Sequence, residues 1–170
     1  MRWILDANCL IYLVKSNLAD FFIELTKDPI MIDKNVYEEV VEEGIKRGYS
    51  DANQISAILQ THNIPIIPVD IHADLYKFRD PGETSCFLLA RKEGVCITCD
   101  QRATKKMALY GVLGIQLDNF FYQQYLNENI TRNKILEVLD KLEGVNATTP
   151  ERKLVFLKSI FMHKEEKKNE

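Results

Sequence analysis

Residues 2–14 read RWILDANCLIYLV. Trp3–Leu5 is an apolar run short enough for a buried strand, and a second apolar run, Leu10–Val14, follows almost at once. Asp6 stands at their junction. A carboxylate there sits where a strand meets solvent and gives way to a helix. In open parallel sheets that edge, beyond the carboxyl ends of the strands, is where ligands bind.

Moving outward, further strand candidates are Ile30–Ile32, Ile64–Val69, Val95–Thr98 and Gly114–Leu117. Helical spacing separates them. Val36, Tyr37, Val40 and Val41 make an apolar stripe on one helix. Asp51 is a plausible N-cap ahead of Ile55, Ile58 and Leu59. PGETSCFLLARKEG has a Pro-Gly entry at Pro81 and a glycine stop at Gly94. A further helix runs from Asp100 to Gly111. Strands separated by helices imply parallel pairing with right-handed crossovers. The expected architecture is a three-layer α/β/α domain with a central parallel sheet of about five strands. Residues 1–143 read as this domain, and residues 144–170 as a C-terminal helix, Glu151–Met162, with a charged tail that frays in solvent.

The composition narrows the classes. With 170 residues and 46% hydrophobic content, the chain suits one globular domain. A net charge of -3 argues against holding nucleic acid by bulk charge. No apolar run reaches the roughly 18 residues of a membrane span, and no signal-peptide pattern opens the chain, so a cytoplasmic location is expected. The four cysteines read as free thiols. Cys96 and Cys99 form a C-x-x-C, but residues three apart on a strand face opposite ways, so they read as buried strand residues and not as half of a zinc site.

The acidic residues carry the chemistry. Asp6 follows the first strand and Asp100 the fourth; if those strands are neighbours, both carboxylates share one edge. Glu83 opens the helix that feeds the fourth strand. Glu38 and Glu39 lie at the same end of the helix after the second, and periodicity does not choose between them. Singly, each has a plain explanation: Asp as an N-cap, Glu in a first helical turn. Together they would repel one another and raise one another's pKa unless a cation sat among them. Hard oxygen donors without His or Cys suit Mg²⁺ or Mn²⁺. Arg102, Lys105 and Lys106 after Asp100, with Arg79 before Glu83, are candidates for a basic rim that admits phosphates.

ILDANCLIYL, VYEEV, GETSCFLLA and TCDQRATKKMALYG, in this order over residues 2–120, resemble the PIN domain family of metal-dependent nucleases. The resemblance implies an acidic metal site of Asp6, Glu39, Glu83 and Asp100, selecting Glu39 over Glu38. It matches Asn8 to a polar orienting position and Thr98 to a hydroxyl before the last Asp. Asp118, after the fifth strand, stands outside the implied set. The implied activity is Mg²⁺- or Mn²⁺-dependent hydrolysis of RNA, preferably single-stranded, leaving 5′-phosphate and 3′-hydroxyl ends. The implied role is that of an RNA-processing enzyme or of a toxin with a partner antitoxin, in a homodimer for which LIYLV and FFIEL could supply surface. The alternatives are a PIN-like module that binds RNA or protein without cutting, and an α/β phosphatase with Asp6 as nucleophile, which would want Asp where Asn8 stands.

Overall fold

β1 (Arg2–Leu5) lies at the centre of a parallel sheet, between β2 (Ile30–Asp33) and β4 (Gly94–Thr98). β3 (Ile66–Ile67) and β5 (Gly114–Gln116) complete the order β3-β2-β1-β4-β5. The structure, a computed structural model, describes residues 1–78 and 80–166. The expected α/β architecture with a five-stranded parallel sheet is what is found.

The register fixes which residues share a face. Trp3 pairs with Val95, Ile4 with Cys96 and Leu5 with Ile97. On one face Trp3 meets Phe120 of α8 (Leu117–Leu126) edge-on at 5.3 Å, and Phe22 of α2 (Ala19–Leu25) packs against Phe120 and Phe121. On the other face α6 (Pro81–Glu93) covers Ile4 and Cys96, and its Phe87 contacts Phe78 and Tyr110. The two runs LIYLV and FFIEL contribute Leu10, Leu13 and Phe22 to the core.

The connections run in two directions. From β1 the chain passes through α1 (Ala7–Lys15) and α2 to β2, and from β4 through α7 (Gln101–Leu109) to β5, on the other side of β1. Right-handed crossovers going opposite ways place their helices on opposite faces, and a crevice opens at the carboxyl ends of β1 and β4. Asp6 and Asp100 cap the two helices that leave this point.

The C-x-x-C splits between the faces. Cys96 is buried against Cys86 of α6, and Cys99 meets Cys9 of α1. Contact with Cys96, and then burial, push the Cys86 thiol well above its usual pKa; burial, and then Cys99, do the same for Cys9. Both are buried, as structural thiols are.

Several boundaries differ from expectation. The strand expected over Ile64–Val69 shortens to Ile66–Ile67, because Pro65 and Pro68 flank it and cannot donate to a ladder. Leu117 opens α8 and does not end β5. Asp51 is not an N-cap: α5 (Ser50–Thr61) starts one residue earlier, and Asp51 pairs with Lys15 at 3.6 Å. The helix after β2 is interrupted. α3 (Lys34–Tyr37) widens into a π-helical turn, Glu38–Glu43, before α4 (Gly44–Lys46). α9 (Arg132–Gly144) precedes α10 (Pro150–Glu166), which starts before and outlasts the expected Glu151–Met162 and seats Ile160 in the core. The frayed tail expected from residue 163 on thus begins inside α10, and residues 167–170 lie outside the described residues.

Gly94 does not end α6 in the left-handed way expected of a glycine stop. Its backbone is extended and the chain passes straight into β4. The need for glycine is steric: a Cβ there would lie 2.1 Å from Ile4 Cδ1 and 3.0 Å from the Arg2 carbonyl oxygen. Gly94→Ala is expected to lower stability by about 1–3 kcal/mol, as overpacking does. The urea midpoint would fall at unchanged slope; an unchanged midpoint would refute this reading of the β1–α6 contact.

Candidate active site

Asp6 is fixed at both carboxylate oxygens. Oδ1 accepts from the Ala7 backbone N–H at 2.8 Å, and Oδ2 accepts from the Thr98 hydroxyl at 2.9 Å. The β1–β4 register, continued one step, sets Thr98 opposite Asp6, and the Asp6 N–H donates to the Ile97 carbonyl at 3.1 Å. Thr98 Oγ1 also accepts from the Asp100 N–H at 3.1 Å. One hydroxyl thus ties the two strand-end aspartates together. Asp100 caps α7 by accepting from the Arg102 N–H at 2.6 Å. Both aspartates are N-caps, and both also belong to the cluster.

Glu39 and Glu83 arrive from two further elements. The π-helical turn buries Val40 and Val41 against the core and leaves Glu39 on the crevice side. Glu38 is paired with Lys34, at 3.2 Å. That ion pair is the physical difference between the two neighbours, which periodicity alone does not distinguish. Glu83 stands in the first turn of α6.

Asp80 joins them and was not among the sequence candidates. It is the N-cap of α6, accepting from the Glu83 N–H at 2.9 Å. The available signal was the spacing D-P-G-E at 80–83, an acidic N-cap with Glu at the third helical position and Pro at the first. Gly82 lies between the elements: a Cβ there would be 3.1 Å from Asp80 Oδ1 and 3.4 Å from Glu39 Oε2. The glycine leaves open a space that two carboxylates border.

The charges feel one another. Burial raises the pKa of Asp6; the bonds from Thr98 and Ala7 oppose this, while Asp80 and Asp100 add to it. Burial raises Glu39, helped by Asp80 and Asp6. Burial raises Glu83, helped by Asp6, Asp80 and Asp100, with the Lys106 ammonium pulling the other way. The structure therefore brings Asp6, Glu39, Glu83 and Asp100 into one electrostatic neighbourhood, with Asp80 as a fifth member. The side chains do not yet converge: among the described residues, no three His, Cys, Asp or Glu side chains stand in a cation-holding arrangement.

Other candidates fall elsewhere. Asn8 is exposed and makes no side-chain hydrogen bond among the described residues. Asp118 is buried and saturated. It accepts from Arg152 at 2.6 and 2.7 Å, from the Thr148 hydroxyl at 2.7 Å and from the Asn119 N–H at 2.7 Å. Lys106 lies near Glu83 and over the Phe78 ring at 4.7 Å. Arg102 and Lys105 are exposed on α7, and Arg79 lies outside the described residues. Asp33, at the end of β2, is fully buried. Its Oδ1 accepts from the Asn35 N–H and side-chain amide, and its Oδ2 has no hydrogen-bond partner among the described residues.

The family model described as a PIN domain, DUF3368, matches residues 2–146. The chain belongs to the PIN domain family. Similar solved folds include a domain of a functionally unknown protein from Methanocaldococcus jannaschii, 15% identical with a TM-score of 0.46, over 68% of this chain and 90% of that one. A chain of VapBC-1 from nontypeable Haemophilus influenzae is 18% identical with a TM-score of 0.46, over 68% of this chain and 98% of that one. No curated protein sequence matches. No helix among the described residues of this PIN domain is long and apolar enough to cross a membrane.

A carboxylate raised by burial and by like charges binds more protons folded than unfolded, so its ionisation costs stability as pH rises through the ordinary carboxylate range. Asp6→Asn keeps a good N-cap and removes a charge. In chelating buffer, its stability advantage over the parent is expected to grow from acid to neutral pH, read from urea midpoints. A difference that does not change with pH would contradict the shared field.

Proposed function

We propose that this PIN domain is a Mg²⁺- or Mn²⁺-dependent ribonuclease. The observation that carries the reading is the set of acidic residues, Asp6, Glu39, Asp80, Glu83 and Asp100, whose charges meet at the switch point between β1 and β4. The donor chemistry fits a hard divalent ion: oxygen only, with like charges that a cation would relieve, beside the open space at Gly82. Asp6, Glu39, Glu83 and Asp100 would hold it, and rotation of the two glutamates about their side-chain bonds would bring them in. When bound, such an ion lowers the pKa of water and offsets charge on the phosphate.

The chain's own residues do the rest. Thr98 holds Asp6 in one rotamer and ties it to Asp100, so the two aspartates keep their relative position without rearrangement. The Lys106 ammonium, close to Glu83, is placed to take a phosphate oxygen of the substrate. An unpaired strand reaches the crevice more easily than a duplex, which favours single-stranded RNA. As a toxin, the protein would be held silent by an antitoxin, and growth arrest on expression would read that role.

A second reading has one observation in its favour. The side chains as they stand do not converge on a point, which suits a PIN module that binds without cutting.

Cleavage of single-stranded RNA separates the two. The parent protein is expected to cut in Mn²⁺ and not in chelator, and Asp6→Asn and Glu83→Gln to lose at least about a hundredfold while melting cooperatively. Undiminished cleavage by both variants would remove the acidic cluster from the mechanism. No cleavage by the parent would favour the binding module.

A further inference from the structure

The acidic cluster has a hollow on each side, and the two differ in charge. On the Glu39 side, a hollow of about 500 Å³ is lined, among the described residues, by Glu38, Glu39, Glu43, Asp51 and Asp80 and by one cation, Arg47. A polyanion entering there meets repulsion. On the Asp100 side, a cleft of about 420 Å³ lies between α7, β5 and the first turns of α10, and no acidic residue lines it among the described residues. It begins at Gln101, the residue after Asp100.

The lining is chemically specific. Arg152 is pinned by two hydrogen bonds to Asp118, which the Thr148 hydroxyl also holds. Three of the five guanidinium N–H donors remain, in a fixed orientation that suits a phosphate. Lys105 has no ion-pair partner among the described residues. The side-chain amides of Gln101, Gln116 and Asn119 are likewise unpartnered there, and each offers both a donor and an acceptor, the combination that reads a base edge. Phe156, packed on Tyr122 at 4.8 Å, gives the cleft an aromatic wall. The cleft has the size of ordinary small-ligand sites, about 300–1,000 Å³. Arg152 and Phe156 come from α10, beyond the residues 2–146 that the family model matches.

We propose that this cleft binds one nucleotide of the single-stranded RNA substrate, adjacent to the phosphate at the acidic cluster. Lys105 and Arg152 hold its phosphate, and the amides contact its base. The inference rests on the ribonuclease reading and adds to it a direction: the strand leaves the acidic cluster past Gln101 toward α10, away from the hollow around Glu43.

The test compares the parent, a Lys105→Ala/Gln116→Ala double variant, and Arg47→Ala, which alters the opposite hollow. Neither Lys105 nor Gln116 makes a side-chain hydrogen bond or ion pair among the described residues, so the double variant is expected to melt close to the parent. With a short single-stranded RNA and Mn²⁺, the double variant should raise KM roughly tenfold with kcat little changed, and the slope of log KM against log salt should drop by about one. Arg47→Ala should match the parent. An unchanged KM in the double variant, with the parent active, overturns the cleft proposal and leaves the ribonuclease reading standing. A parent that cuts no RNA overturns both.

Discussion

The pairing of β1 with β4 is the constraint on which the site depends. It sets Thr98 opposite Asp6, and one hydroxyl then bonds the Asp6 carboxylate and the Asp100 backbone together. Because the chain leaves these two strands in opposite directions, nothing from either crossover fills the space beyond them. Two helices start there, and each takes its N-cap from the strand end. The caps thereby put negative charge at one place, and α6 adds Asp80 and Glu83 to it. In metal-free protein this is an unfavourable arrangement, visible in the upward pKa shifts of Asp6, Glu39 and Glu83. Perturbed carboxylates gathered in a crevice mark a candidate functional site.

Much of this was legible in the sequence because it is local. Short apolar runs ending in Asp mark strand ends, and alternation with helical spacing gives a parallel sheet. The edge of β3 was misread because apolar content was weighed above Pro65 and Pro68, which cut the ladder short. Asp51 was misread because a cap and a first-turn acid look alike in sequence; the contact with Lys15 that occupies it spans 36 residues. Glu38 and Glu39 could not be told apart from periodicity, since the Lys34 ion pair and the π-helical turn that separate them are not written in the apolar pattern. Asp80 carried a readable signal in its capping spacing, but its place beside Glu39 depends on Gly82 letting α6 approach the π-helical turn.

The C-terminal third was the least legible part. No short motif marks it, yet half-buried Arg152 and buried Asp118, 34 positions apart, form an ion pair that fixes α10 to the start of α8. Such pairing is invisible to local reading. Its consequence is an uneven distribution of charge around the cluster, one hollow acidic and the other lined by cations and amides. A protein with net charge -3 can therefore still offer a polyanion a favourable approach. The electrostatics of the chain are arranged locally, which its total charge does not reveal.

The claim beneath all of this is that carboxylates from separate elements share one site that a divalent ion completes. Calorimetric titration of Mn²⁺ into chelator-treated protein near neutral pH tests it most directly. The account predicts saturable binding by the parent, and no such heat from folded Asp6→Asn protein. Absence of Mn²⁺ binding by the folded parent chain, or equal binding by both proteins, would contradict it.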